Sequence, residues 1–75
     1  MSDRLPTLRP EQVIHKLRRA GFVFDRQAKG SHEIWYNPQT HRRVVVPNHP
    51  RDLPRGTMRK IIQQSGLTVE EFNEL

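Results

Sequence analysis

The chain contains no cysteine, so neither disulfides nor a thiolate-bearing zinc site supplements its core. A reducing cytoplasm is the expected location. No apolar run approaches the roughly 18 residues of a spanning helix, and the start Met1-Ser2-Asp3-Arg4 lacks the apolar stretch of a secretory leader. Carboxylates are not clustered, and no tight ligand spacing such as His-Glu-x-x-His occurs, so the sequence points to no metal and no cofactor. Repeats and low-complexity segments are also missing. What remains is 75 residues with room for one domain, 1–75, and one hydrophobic core. A domain of this size buries only about 60% of its unfolded surface. Its stability is therefore expected to be marginal and readily raised by a partner.

The charge is uneven. All 13 Lys and Arg lie in residues 1–66 beside five of the eight acidic residues, a net +8, whereas residues 67–75 carry Glu70, Glu71 and Glu74, a net −3. A basic body with an acidic tail suits a nucleic acid or an anionic partner.

Val13, Ile14, Leu17 and Ala20 recur on one helical face and predict a first helix over about Pro10 to Ala20. Pro10 suits its first turn and Gly21 its end. From Phe22 the period becomes two, with Phe22, Phe24 and Arg26 on one face of a first strand and Val23, Asp25 and Gln27 on the other. Lys29-Gly30-Ser31 supplies a turn, and Glu33-Ile34-Trp35-Tyr36 reads as the second strand. Asn37-Pro38-Gln39-Thr40 forms a second turn. Arg42 to Val46 is the third strand, stopped by Pro47. Short connections make the three an antiparallel meander.

Asn48 to Pro54 reads as a loop. Met58, Ile61, Ile62 and Ser65 restore the helical spacing in a helix that starts between Pro54 and Thr57 and closes at Gly66. Thr68 and Glu71 match a capping box, which predicts a short third helix through Phe72, with Phe72 and Leu75 over an edge of the core. The predicted fold is an α+β, two-layer α-β-β-β-α sandwich: a three-stranded antiparallel sheet with helices on one face and a short C-terminal helix.

The chemical candidates are four histidines, the single Tyr36 and the cations. His15 sits beside the apolar stripe of the first helix, and His41 and His49 fall in loops, where solvated histidines are common. His32 differs. Lys29-Gly30-Ser31-His32 puts an imidazole at the mouth of a strand, after a glycine that permits close backbone approach. Glycine and serine amides with an adjacent lysine suit a phosphodiester oxygen, and a neutral imidazole accepts a proton near pH 7.

Several segments in fixed order then carry a resemblance: Ala20-Gly21-Phe22, Gly30-Ser31-His32, Val46-Pro47-Asn48-His49, and the run Gly56-Thr57-Met58-Arg59-Lys60-Ile61-Ile62-Gln63-Gln64-Ser65-Gly66-Leu67. From about Glu11 to Phe72 the sequence resembles the HicA family of toxin–antitoxin ribonucleases. The resemblance implies a fold similar to the double-stranded-RNA-binding domain and metal-free cleavage of messenger RNA. It implies that the Gly-Ser-His histidine, here His32, is catalytic, and that a HicB-like antitoxin covers the active site. One departure stands out: Gln27-Ala28-Lys29 lengthens the usual lead into the glycine.

One histidine suffices chemically if the substrate brings its own nucleophile, as RNA does through its 2′-hydroxyl. His32 is the expected general base, with Lys29 and amides near Gly30 and Ser31 steadying phosphoryl charge. Lys29, Arg42, Arg43, Arg59 and Lys60 are the expected RNA contacts beside Gly30 and Ser31. No residue stands out as the general acid. Two alternatives carry the same basic surface: a non-catalytic RNA-binding module of this fold, which would tolerate loss of His32, and a protein interaction module for an acidic partner. His32 shares strand parity with Ile34 and Tyr36, so the sequence leaves open which sheet face it occupies.

Overall fold

The computed structural model describes residues 4–75; the reading of the first three residues as part of a leaderless start lies outside them. The elements run α1 (Pro10–Arg19), β1 (Val23–Gln27), β2 (His32–Asn37), β3 (Arg42–Pro47), α2 (Arg55–Ser65) and α3 (Val69–Asn73). This is the expected α+β order, and the strands form one antiparallel sheet in the order β1-β2-β3. Pro10 occupies the first turn of α1, where the missing N–H costs nothing. Gly66 closes α2 in the left-handed region at φ 81°. At α3 both halves of the capping box form, with Glu71 N–H donating to Thr68 Oγ1 at 3.0 Å and Thr68 N–H to Glu71 Oε1 at 2.8 Å.

The core joins Val13 and Leu17 of α1, Trp35 of β2, Val44 and Val46 of β3, and Met58, Ile61 and Ile62 of α2, with Phe22 and Leu53 from the connections. Phe72 of α3 is fully buried in it, and Leu75 packs against it partly exposed. Trp35 pairs with Val44 and Glu33 with Val46 in the β2–β3 register. Since opposed residues share a face, the odd-numbered positions of β2 face the helices. His32, Ile34 and Tyr36, opposite Pro47, Val45 and Arg43, occupy the other, open face.

One sequence expectation is corrected. The β1–β2 register shifts between Phe24 and Arg26, a β-bulge at Asp25. An extra residue reverses the alternation beyond it. Arg26 therefore stands opposite Ile34 on the face of Val23, away from Phe24, and Gln27 stands opposite Glu33 on Phe24's face.

Candidate functional site

The first hairpin builds the setting of His32. Gly30 adopts φ 62°, which an L side chain rarely tolerates, and His32 N–H donates to Lys29 C=O at 3.1 Å to close the turn. Ala28 N–H reaches His32 C=O at 2.8 Å. The Gln27 amide donates to the carbonyls of Gly30 and His32 at 3.2 and 3.1 Å. The longer Gln27-Ala28-Lys29 lead thus supplies its own internal brace. On the far side, Asn48 N–H donates to Ser31 C=O at 2.9 Å and the Asn48 side chain to Glu33 at 2.7 Å, tying the exit of β3 to the entry of β2. Glu33 also accepts from the Trp35 indole at 3.2 Å. The backbone under His32 is fixed from both neighbouring strands, and its side chain, on the open face, is exposed. No described residue hydrogen-bonds its ring.

His32 opens onto a cleft of about 580 Å³ between the end of the sheet and the first turns of α2. Val45, Pro47, Pro54, Gly56, Thr57, Lys60, Ile61 and Gln64 complete its lining, with no carboxylate among them. Gln64 fixes α2 against the sheet: its Oε1 accepts from Val45 N–H at 3.0 Å, covering an edge-strand donor. The start of α2 has Pro54 as N-cap, no side-chain cap and no acidic residue in its first turn. Its leading amides therefore lack both an intrahelical acceptor and a capping oxygen, and they carry the positive end of the helix dipole. Nothing stands within 4 Å of where a side chain on Gly56 would begin, so an anion has room to approach. A cation, an imidazole and uncapped helix amides around one opening have the chemistry that a phosphate requires.

The expected cations do not gather in one place. Lys60 lines the His32 cleft, and Lys29 lies in the exposed turn beside His32 with Gly30 and Ser31. Arg59, next to Lys60 but turned about 100° around the helix, lines a different groove with Leu5, Ile62, Gln63 and Leu67. Arg42 pairs with Asn37 at the far end of β2, and its side chain lies against Gly66 on the helix-covered side. Arg43 shares the open face with His32 but stands opposite Tyr36. The sequence reading missed Thr57, Gly56 and Gln64. A helix starting after Pro54 without a Ser, Thr, Asp or Asn cap is the signal that marks this terminus as open.

Two of the other histidines, His41 and His49, have local partners. His41 Nδ1 lies 3.1 Å from the Tyr36 hydroxyl, and His49 Nδ1 accepts from Arg51 N–H at 3.3 Å. Among the described residues no three His, Asp or Glu side chains gather to hold a metal ion, and no helix is long and apolar enough to cross a membrane.

Residues 10–67 match a family model described as the HicA toxin of bacterial toxin–antitoxin systems. No curated protein matches the chain.

Proposed function

The chain belongs to the HicA toxin family, and on that premise we propose that this toxin is an endoribonuclease that cleaves messenger RNA with His32 as general base. A toxin of a toxin–antitoxin system has a cognate antitoxin; here we assign it the chemistry of a HicB-like inhibitor. The observation that carries the ribonuclease reading is the cleft, where the exposed His32 meets Lys60 and the uncapped start of α2.

In the reaction, His32 takes the proton of a ribose 2′-hydroxyl. The 2′-oxygen attacks the adjacent phosphorus and forms a new P–O bond, and the bond to the 5′-oxygen of the next nucleotide breaks. The products are a 2′,3′-cyclic phosphate, which can be hydrolysed further, and a 5′-hydroxyl end, with the leaving oxygen protonated from solvent. Lys60, Lys29 and the amides of Gly30 and Ser31 are the donors for the phosphoryl oxygens, where charge builds in the transition state. Because RNA supplies the nucleophile, no metal-activated water is required, and DNA, lacking the 2′-hydroxyl, is not cut. General-base help is worth about 10²–10⁴-fold, so turnover is slow. Opposite charge brings the antitoxin onto the basic cleft and blocks it.

Expression of wild type and His32→Ala side by side tests this reading. Wild type arrests growth and degrades RNA, and its activity on purified RNA survives chelator, whereas a folded His32→Ala protein does neither. Equal toxicity from the two would also remove His32 from the mechanism and favour the binding-module alternative.

A further inference from the structure

The cleft accounts for one end of the open sheet face; the other end carries a separate cluster. Tyr36 stands four residues along β2 from His32 on the same face, about 13 Å away at the rise of a strand. The Arg43 guanidinium lies 4.4 Å from the centre of the Tyr36 ring. His41 meets the same ring edge-on, with centroids 6.3 Å apart, and bonds its hydroxyl. His41 has φ 64°, uncommon for a residue with a side chain, and this backbone turn brings its imidazole to Tyr36.

We propose that Tyr36, Arg43 and His41 form a second RNA subsite, on which one unpaired base of the substrate stacks while the scissile phosphate lies at His32. The proposal rests on the endoribonuclease reading. Arg43 covers Tyr36, yet its side chain remains 54% exposed, so the outer plane of the guanidinium is free to receive a base. Such a stack of ring, cation and base is a common means of holding single-stranded nucleic acid. His41 steadies the ring beneath through its hydroxyl and edge. Asp25 is shared between Arg43 at 3.5 Å and Arg26 at 3.2 Å, so one carboxylate meets two cations and the cluster stays positive. That charge suits a nucleic-acid strand better than an apolar protein segment. A base reaches this platform only when unpaired, which makes the substrate single-stranded here.

The test uses the His32→Ala protein, which binds without cutting under the ribonuclease reading, and single-stranded RNA carrying 2-aminopurine at successive positions. One position is expected to show strong fluorescence quenching on binding. Adding Tyr36→Leu, or Arg43→Gln at its exposed site, abolishes that quenching and weakens binding about tenfold or more, with melting temperatures measured alongside. His41→Gly, which accepts the positive φ, gives a smaller loss. RNA that binds with no position-dependent quenching, or with quenching unchanged in both variants, overturns the subsite and leaves the ribonuclease reading standing. Failure of the His32→Ala protein to bind any RNA overturns both. Retained quenching with lost antitoxin binding assigns this face to a protein partner and overturns the subsite.

Discussion

The two faces of the sheet carry alternate residues of the same strands to opposite ends. On the covered face Trp35, Val44 and Val46 are at most 2% exposed and pack against α1 and α2. At alternate positions of the same strands, His32 and Arg43 are exposed and Tyr36 is half-buried. A strand reverses its side chains at each step, so a chain this short can place its core and its chemistry within two strands. The cost is that only the covered face has a second layer against it, and the open face depends on the covered one for its geometry.

The sharpest way to break this comparison is to damage the covered face alone. Trp35→Ala removes a buried indole and orphans its bond to Glu33; large-to-small changes of this kind cost about 3–5 kcal/mol. The expected result is a chain largely unfolded in thermal or denaturant melts, while His32→Ala, at an exposed position, changes stability by no more than about 0.5 kcal/mol. Equal melting curves for the two would refute the division of labour between the faces.

The next effect is chemical. Lys60→Ala takes the one Lys or Arg from the lining of the His32 cleft, and loss of a charged hydrogen bond to phosphate is worth about 1.5–3 kcal/mol. In kinetic terms kcat/KM on RNA falls roughly 10- to 100-fold with an unchanged melt. Arg59→Ala, one residue earlier but facing another groove, falls less. A larger loss from Arg59→Ala would move the catalytic contacts out of the cleft.

A smaller effect is expected at the closure of α2. Gly66→Ala forces a side chain into the left-handed region at a cost of about 1–2 kcal/mol, and the added methyl meets the Arg42 side chain. The melting temperature drops while the rate on RNA at low temperature holds. A selective loss of cleavage would mean that Arg42 reaches the substrate.

Much of the fold was legible because local signals agree with one another. The stripe of Val13 and Leu17, the glycines at 21 and 66, and the Thr68–Glu71 box each mark an element that forms where expected. The bulge at Asp25 was not legible, since beyond Phe24 the strand Asp25-Arg26-Gln27 has no apolar residue to show its alternation. The cations were split for a similar reason. Val44-Val45-Val46 carries no polar partner to reveal parity, so nothing in the sequence separates Arg42, on the covered side, from Arg43, on the open face. The position of His32 at the mouth of β2 was legible from the Gly30-Ser31 turn. The cleft around it was not, because it depends on how α2 meets the edge of β3 through Gln64 and Val45, a contact between residues 19 apart.

The central claim, that His32 activates the substrate's own 2′-hydroxyl, is tested most directly by single-turnover cleavage of one RNA in chelator by wild type and His32→Ala. The same RNA with a single 2′-deoxy sugar at the cleaved position provides the comparison. Wild type is expected to cut only the all-ribose strand, leaving a 2′,3′-cyclic phosphate or its hydrolysis product, and His32→Ala to be slower by about 10²–10⁴-fold. Cleavage of the deoxy strand at the same site, or an unchanged rate in the folded His32→Ala protein, would contradict the account.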